Sequence, residues 1–343
     1  MKIALDATYS LGRHLSGVGV YSRELMAGLA AGHTYTRFDF CYRPHRFLRS
    51  FQVPLPSNAR RRLLWRGLAG RVDLFHGLNQ RIDDRRWPHV VTTFHDLFVL
   101  SAEYSTPEFR RRFAEQARGA AERSDLIIAV SEFTARQVED LLGVERARIR
   151  VVHHGVHAPA PPSGNDARKN VILFVGAIQK RKNLDRLVDA FERAGKGWKL
   201  VLAGSTGFGA EEILQKIERS PRRSDIEVTG YVTDAELERL YARARVFAFP
   251  SLDEGFGMPV LDAMARGVPV LTSNRSALPE VAGDAALLVD PENEDEIAAG
   301  LERITVDEEL QRDLARKGLE RSAQFSWGTA VERTWSVYRE LLG

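Results

Sequence analysis

Short apolar runs alternate with amphipathic helical patterns along the first half of the chain. The runs are nearly continuous, which is typical of parallel strands that are covered on both faces. They predict strands at residues 2–6, 38–42, 73–76, 89–94 and 125–130. Apolar positions at helical spacing predict helices over 18–31, 107–122 and 131–142, with Thr106 and Ser131 as N-caps and Pro107 as a first helical residue.

The same rhythm restarts after a break. Residues 157–170, HAPAPPSGNDARKN, have the composition of a linker. Strands are then predicted at 171–177, 198–204, 226–230, 245–251 and 268–273, and a last helix from Trp327 to Leu342 follows a Ser326 cap. Two series of alternating strands and helices predict an α/β protein with two doubly wound domains.

Composition narrows the class of protein. A chain of 343 residues suits two domains. No apolar run approaches the roughly 20 residues of a membrane-spanning helix, and an acid as early as Asp6 argues against a secretion signal. Cys41 is the only cysteine, so no intrachain disulfide can form, which fits a reducing cytoplasm.

Charge is unevenly distributed. Residues 1–157 contain 24 Lys and Arg against 16 Asp and Glu, a balance of +8, whereas the remainder contains 25 against 30, a balance of −5. All nine histidines also precede residue 158. The two halves therefore differ chemically, which supports two domains with different roles.

Residues 41–72 form a basic segment with eight arginines and no acid, and large apolar residues lie between the arginines. Such a pattern can bind an anionic membrane surface or phosphate groups, and the region from Arg43 to Arg71 would supply the contacts. The alternative is a solvated pair of helices. Nucleic acid is disfavoured, because no recognised nucleic-acid-binding module accompanies the charge.

Two loops of the first half are candidate sites. SGVGVYS, residues 16–22, places Gly17 and Gly19 at the start of a helix, where backbone amides can approach an anion. The motif is not a typical dinucleotide fingerprint, because Ser22 takes the third glycine position and the loop does not follow the first strand directly. His95 ends a predicted strand, where open α/β sheets place their ligands.

Histidines also cluster at His153, His154 and His157. Their spacing would allow a metal ion, but no predicted strand or helix aligns them and no pair of carboxylates accompanies them. A structural role is favoured for this cluster. Nothing else in the sequence resembles a metal site, so we expect no bound metal.

A basic loop follows the first strand of the second half. Lys180, Arg181 and Lys182 precede a helix that begins at a predicted Asn183 cap. Cations beside a helix N-terminus suit phosphate oxygens. This loop is therefore a candidate phosphate-binding site.

The stretch PSLDEGFGMPVLDAMARG, residues 250–267, carries two acids on either side of a glycine turn. Glu254 lies before the turn and Asp262 lies inside the following helix. Amides at Gly255 and Gly257 suit phosphate, whereas carboxylates suit neutral hydroxyl groups. A sugar, a diphosphate and a ribose would satisfy all of these groups, and together they describe a nucleotide sugar.

These motifs resemble the family 4 glycosyltransferases, which are retaining enzymes of the GT-B type. The resemblance covers nearly the whole chain, from SGVGVY through DLFHGLN, VVTTFHDL, SDLIIAVSEFTARQ and VILFVGAIQKRKNL to PSLDEGFGMPVLDAMARGVPVLTSNRSALPEVAGDAALLVDP. It implies two Rossmann-like domains that face a cleft. Residues 1–160 would bind the acceptor, residues 161–325 would bind the donor, and a C-terminal helix, residues 326–343, would cross back to the first domain.

The resemblance also implies roles for single residues. Glu254 would contact hydroxyl groups of the donor sugar, and His95 would lie near the transferred sugar. Lys182 and Arg181 would act on the diphosphate. The residues implied in donor binding are Gly17, Gly19, Tyr231, Val232, Gly255, Phe256, Gly257, Met258 and Asp262.

Two positions depart from the family pattern. Asp262 stands where the second acid is usually a glutamate, so the carboxylate is one methylene shorter. Ala177 stands where many members have an arginine. Arg181 would then supply the missing charge.

The expected reaction transfers a hexose, with mannose as the first choice, from a nucleotide diphosphate sugar to a hydroxyl group of a glycan or lipid-linked acceptor. Cations and amides would stabilise the departing nucleoside diphosphate. No clear carboxylate nucleophile is present, so a same-face route with retention is preferred. GDP-mannose is the first choice of donor, because SNRSALPEVAGDAALLVDP is similar to the corresponding segment of polysaccharide mannosyltransferases. No cofactor is expected.

Three alternatives stay open: a nucleotide-sugar epimerase or hydrolase on the same fold, a nicotinamide oxidoreductase that uses the Gly17 loop, and a binding module without catalysis. The retained Glu254, Lys182 and His95 disfavour the binding module. We expect a cytoplasmic protein that lies peripherally at the inner membrane face. The sequence gives no oligomeric state.

Overall fold

A computed structural model describes residues 1–12, 14–65, 71–83, 85–157 and 168–343. The chain divides into two compact units. Unit 1 comprises residues 1–155 and 326–343, and unit 2 comprises residues 156–325. Most of the predicted linker, residues 158–167, and the predicted boundary at residue 160 lie outside the described residues.

Unit 1 is built on a seven-stranded parallel sheet in the order β3-β2-β1-β4-β5-β6-β7. The strands are β1 Lys2–Asp6, β2 Arg37–Tyr42, β3 Ala59–Leu63, β4 Leu74–Gly77, β5 Val90–Phe94, β6 Leu126–Ala129 and β7 Ile149–Val151. The helices are α1 Gly17–Gly32, α2 Pro44–Phe47, α3 Phe98–Ser101, α4 Pro107–Arg123 and α5 Glu132–Leu142.

Unit 2 repeats this architecture with a six-stranded parallel sheet in the order β10-β9-β8-β11-β12-β13. The strands are β8 Lys169–Val175, β9 Lys199–Ala203, β10 Ile226–Gly230, β11 Ala244–Phe249, β12 Val270–Ser273 and β13 Ala286–Val289. The helices are α6 Leu184–Ala194, α7 Ala210–Arg219, α8 Asp234–Arg243, α9 Met258–Ala265, α10 Leu278–Ala282, α11 Glu294–Val306 and α12 Glu308–Ser322.

The last helix, α13 (Trp327–Leu342), belongs to unit 1 and packs against α1. Gly28 of α1 makes the close approach possible, because a Cβ atom there would lie 2.4 Å from Cγ2 of Val331. Ser326 caps α13 by accepting a hydrogen bond from the amide of Thr329. The predicted fold class, two Rossmann-like parallel-sheet domains with a C-terminal helix that returns to the first, is confirmed.

The sequence patterns missed β3, β7 and β13. In β3, ARRRL, arginines replace the apolar run that marks the other strands, because β3 is an edge strand. The interpretation of residues 41–72 as a pair of helices is wrong at this point, since only the short α2 and a 3₁₀ turn at Leu48–Gln52 precede the strand. Within the described residues, no helix is both long and apolar enough to cross a membrane.

Candidate functional site

A buried ion cluster forms in unit 2, where loops leave the carboxyl ends of β8 and β11. Oε1 of Glu254 accepts hydrogen bonds from Nζ of Lys182 at 2.5 Å and from Oγ of Ser251 at 2.6 Å. Nη1 of Arg181 lies 2.9 Å from the same oxygen. All four residues are buried. The structure thus brings together three residues that the sequence singled out and adds Ser251, which the sequence analysis missed.

The surroundings of Glu254 keep it ionised. Burial raises the pKa of this carboxyl, but Arg181, Lys182 and the hydroxyl of Ser251 outweigh that effect and set the pKa to about 2. Lys182 is further held over the ring of Phe249, with its Nζ 4.6 Å from the ring centroid. The result is a buried site with two cations around one carboxylate oxygen.

Asn183 connects the two loops of this site. Its backbone is left-handed, with φ at +59°, and its side-chain amide donates to the carbonyl oxygens of Pro250 at 3.0 Å and of Pro291 at 2.6 Å. Asn183 is the N-cap residue of α6, as predicted, but its side chain forms no capping hydrogen bond. The side chain instead holds the Lys182 loop against the segment that leads to Glu254.

The glycine turn after Glu254 has the backbone that the sequence required. Gly257 has a φ of +104° and directly precedes Met258, the first residue of α9. A Cβ atom at Gly257 would lie 2.7 Å from the side chain of Leu278. Gly255 and Phe256 are buried in the same turn, and the ring of Phe256 packs edge-on against Phe325.

The second acid of this stretch lies apart from the ion cluster. Asp262 sits inside α9, and Nη1 of Arg266 lies 3.3 Å from its Oδ1. About a third of the Asp262 side chain, 34%, remains exposed. Tyr231 and Val232 follow β10, with Tyr231 exposed and Val232 packed against the core of unit 2.

In unit 1, the two predicted glycines open α1. Gly17 is the first residue of the helix, and the amide of Gly19 donates to the Ser16 cap at 3.3 Å. A Cβ atom at Gly19 would lie 2.9 Å from the carbonyl oxygen of Tyr9. The absence of a side chain at Gly19 therefore serves packing inside unit 1, a role that the motif alone did not indicate.

His95 belongs to a buried cluster of rings in unit 1. Its Nε2 lies 2.9 Å from the carbonyl oxygen of Leu78. Its ring stacks on His154 with centroids 5.4 Å apart and meets Tyr21 edge-on at 4.7 Å. Burial lowers the pKa of His95 to about 4, so the ring is neutral at pH 7.

A second buried histidine links the sheet of unit 1 to the last helix. Nδ1 of His76 lies 2.6 Å from the hydroxyl of Tyr338, and Nε2 lies 2.8 Å from Oγ1 of Thr93. Burial lowers the pKa of His76 to about 3 and that of His154 well below its ordinary value. His154 thus lies in the packed interior of unit 1. The described residues contain no group of three or more His, Cys, Asp or Glu side chains that could hold a metal ion.

The sequence matches two family models, one in each half. Residues 15–158 match the model of glycosyltransferase family 4, and residues 160–321 match that of glycosyl transferases group 1. The chain is 32% identical over 284 residues to the O-antigen chain mannosyltransferase B of Escherichia coli, an alignment that covers 78% of this chain and 74% of the relative.

Solved structures with the same fold include sucrose-phosphate synthase from Thermosynechococcus elongatus, with a TM-score of 0.81, 20% identity and 99% of each chain covered. The Anabaena protein HepE in complex with UDP-glucose has a TM-score of 0.75 at 17% identity, with 99% of this chain and 100% of that chain covered. At these identities the likeness concerns the fold alone.

Proposed function

Because this chain belongs to the glycosyltransferases of group 1 and family 4, we propose that it transfers a hexose from a nucleotide diphosphate sugar to a hydroxyl group of a glycan or lipid-linked acceptor. The relative from Escherichia coli is a mannosyltransferase, which supports mannose as the hexose and GDP-mannose as the donor. The donor is a substrate, and the reaction needs no further cofactor. Transfer proceeds with retention on one face of the sugar.

The buried ion cluster carries this proposal. Arg181 and Lys182 lie 2.9 Å and 2.5 Å from the same oxygen of Glu254, in a buried site where loops leave the ends of two parallel strands. Cations held in this way at the carboxyl ends of strands suit phosphate oxygens. The diphosphate of a donor supplies such oxygens, and its charge grows when the bond to the sugar breaks.

The other donor contacts in this proposal are those that the family resemblance implies. Glu254 accepts hydrogen bonds from sugar hydroxyls through its second oxygen, while the amides of the Gly255 to Met258 turn contact the diphosphate. Asp262 binds the ribose, and the backbone at Tyr231 and Val232 meets the base. The resemblance also assigns Gly17, Gly19 and His95 of unit 1 to donor recognition.

Replacement of Lys182 tests the proposal. We expect Lys182→Ala to lower the rate of transfer by about 10²- to 10³-fold, the effect of removing one group that stabilises the developing charge. Lys180→Ala is the matched control, because Lys180 lies two residues away, is half exposed and pairs with Glu212. The measurement is release of nucleoside diphosphate with and without acceptor. A Lys182→Ala variant with full activity would contradict the assignment.

A panel of nucleotide sugars identifies the donor. A bound donor stabilises the folded protein, so the true donor raises the unfolding temperature and the others do not. GDP-mannose is expected to give the largest increase. Release of nucleoside diphosphate without acceptor would instead favour hydrolysis of the donor.

The basic segment of unit 1 supports a peripheral position at an anionic membrane. Leu48, Phe51 and Trp65 are exposed by 81%, 62% and 56% and lie among arginines. Apolar side chains beside cations suit the interface of an anionic bilayer, at the cytoplasmic face of the inner membrane. An acceptor held in that membrane would thus be presented to unit 1.

A further inference from the structure

A pocket of about 740 Å³ opens in unit 1 at the carboxyl ends of β1, β2, β3 and β4. The chain continues from β1 to β2 on one side of the sheet and returns to β4 on the other, so a switch point lies between β1 and β4. Open α/β sheets bind ligands at such points. The volume suits a small-molecule site.

The pocket is lined by more positive than negative charge. Arg43, Arg46 and Arg81 line it, against the single acid Asp83 among the described lining residues. Asp83 accepts hydrogen bonds from the amide of Arg85 at 3.3 Å and from the indole of Trp87 at 3.1 Å. Its negative charge is therefore already stabilised by groups outside the trio of arginines.

The arginines are held in place by the fold. Nη2 of Arg43 donates to the carbonyl oxygen of Arg81 and lies 3.4 Å from Oδ2 of the buried Asp6. Nη1 of Arg46 donates to the carbonyl oxygen of Leu11 at 3.3 Å. The fold thus fixes the guanidinium groups of Arg43 and Arg46 beside the pocket.

The rest of the lining is apolar. Leu11, Leu15 and Leu64 contribute aliphatic surface, and Trp65 presents an exposed ring. Aromatic rings and aliphatic side chains suit the faces of a sugar ring or an alkyl chain. The pocket therefore combines a cationic part with an apolar part.

We propose that this pocket binds a phosphate ester or diphosphate ester group of the acceptor. Guanidinium groups bind phosphate oxygens through paired hydrogen bonds. Arg46 and Arg81 supply two positive charges to the pocket besides that of Arg43, which pairs with Asp6. The inference rests on the proposed function, because it names the class of acceptor for the same transfer. A lipid headgroup and a soluble sugar phosphate both present these oxygens, and the experiment below distinguishes the two sources.

Titration calorimetry with inorganic pyrophosphate tests the pocket in the full-length protein. We expect two sites, one in unit 2 that depends on Lys182 and one in unit 1. The double variant Arg46→Gln with Arg81→Gln should weaken the unit 1 site by at least about tenfold per arginine and leave the unit 2 site unchanged. Arg49→Gln is the matched control, because Arg49 is exposed on the same segment and does not line the pocket.

The two proposals fail in different ways. If Lys182→Ala leaves both sites intact, the donor assignment is wrong while the pocket stands. If the double variant binds pyrophosphate like the unmodified protein, or if Arg49→Gln weakens binding equally, the pocket proposal is wrong. Should the double variant unfold, the single Arg46→Gln gives the same answer, because Arg46 is only half-buried.

Two further probes define the ligand. Malonate, a dicarboxylate, should bind at least about tenfold more weakly than pyrophosphate, because it offers fewer oxygens to the arginines; equal binding would overturn the preference for phosphate. Octyl diphosphate separates the sources. If octyl diphosphate binds more tightly than pyrophosphate, the result supports a lipid headgroup as the ligand. If the two compounds bind equally, the result supports a soluble sugar phosphate.

Discussion

Glu254 is the residue whose role the structure changed most. The sequence placed this acid opposite neutral hydroxyl groups rather than beside phosphate. In the structure its Oε1 accepts from Lys182 and Ser251 and lies beside Arg181. The carboxylate therefore orients the two cations, and its other oxygen is the one assigned to the sugar in our proposal.

Ser251 should matter for stability. Its hydroxyl is buried and donates to Glu254 at 2.6 Å, and a hydrogen bond to a charged group contributes about 2 kcal/mol. We expect Ser251→Ala to lower the free energy of unfolding by about that amount and to raise the pKa of Glu254. Urea unfolding at neutral pH measures the first effect. Ser251→Thr keeps a hydroxyl and serves as the control; equal loss in both variants would contradict a role for the hydrogen bond.

The sequence could single out Glu254 and Lys182 because they stand in long, specific motifs. Ser251 offered a weaker signal, namely a hydroxyl residue at a strand end three positions before the acid. Asn183 offered a signal for its position alone: it is the N-cap residue of α6, but nothing in the sequence indicated what its side chain binds. Its actual partners, the carbonyl groups of Pro250 and Pro291, are about 70 and 110 residues away in sequence, and only folding brings them close.

At the level of elements, strands with continuous apolar runs were predictable, whereas three of the four edge strands, β3, β7 and β13, were not. All four residues of β6, LIIA, are buried, and the run of apolar residues marks them. In β3 the arginines are used by the fold: Arg60 pairs with Asp39 at 2.5 Å, and Arg62 lies 3.5 Å from the same carboxyl group. A basic run that looked like a ligand-binding surface is thus partly structural.

The histidine cluster makes unit 1 sensitive to acid. His95 and His76 have folded-state pKa values of about 4 and about 3, below the ordinary value of 6.5. The folded state then binds fewer protons than the unfolded state, so stability is complete above pH 6.5 and falls as the pH decreases toward 4. We expect a loss of about 2 kcal/mol per buried histidine between pH 6.5 and 5.

Tryptophan fluorescence during urea unfolding follows this effect, because four of the five tryptophans lie in unit 1. His154→Phe removes one buried histidine, so the free energy of unfolding should depend less on pH in this variant. His45→Gln changes an exposed histidine and should leave the pH dependence unchanged. Glu254 has a pKa of about 2 in the folded state, so its contribution to stability is lost at a lower pH, below 4.5. A stability that stays constant between pH 7 and 5 would refute the histidine contribution.

At the scale of the whole molecule, net positive charge and exposed apolar surface are concentrated in unit 1. The balance of +8 over residues 1–157 contrasts with −5 over the remainder. The exposed Leu48, Phe51 and Trp65 lie in the same basic segment. This distribution favours unit 1 as the part of the chain that meets an anionic surface.

Membrane binding can be measured by sedimentation with vesicles. We expect binding to phosphatidylglycerol vesicles at low salt, little binding to phosphatidylcholine, and release at about 1 M salt, where the screening length falls to about 3 Å. Leu48→Ser with Phe51→Ser should reduce binding. Val306→Ser is the control, because Val306 is 71% exposed and lies in unit 2. No binding at low salt would rule out the peripheral position.

The sequence by itself determined the two-domain α/β architecture and the segments that carry chemistry, because these depend on local periodicity and on motifs of adjacent residues. The return of the last helix to the first domain was implied only by the family resemblance. The tertiary structure decided which side chains meet. The ion cluster around Glu254, the ring cluster around His95 and the arginine pocket at the ends of β1 to β4 each join residues from loops that are distant in sequence. Parallel strands bring such loops to one edge of a sheet, and the pattern of a single segment does not contain that information.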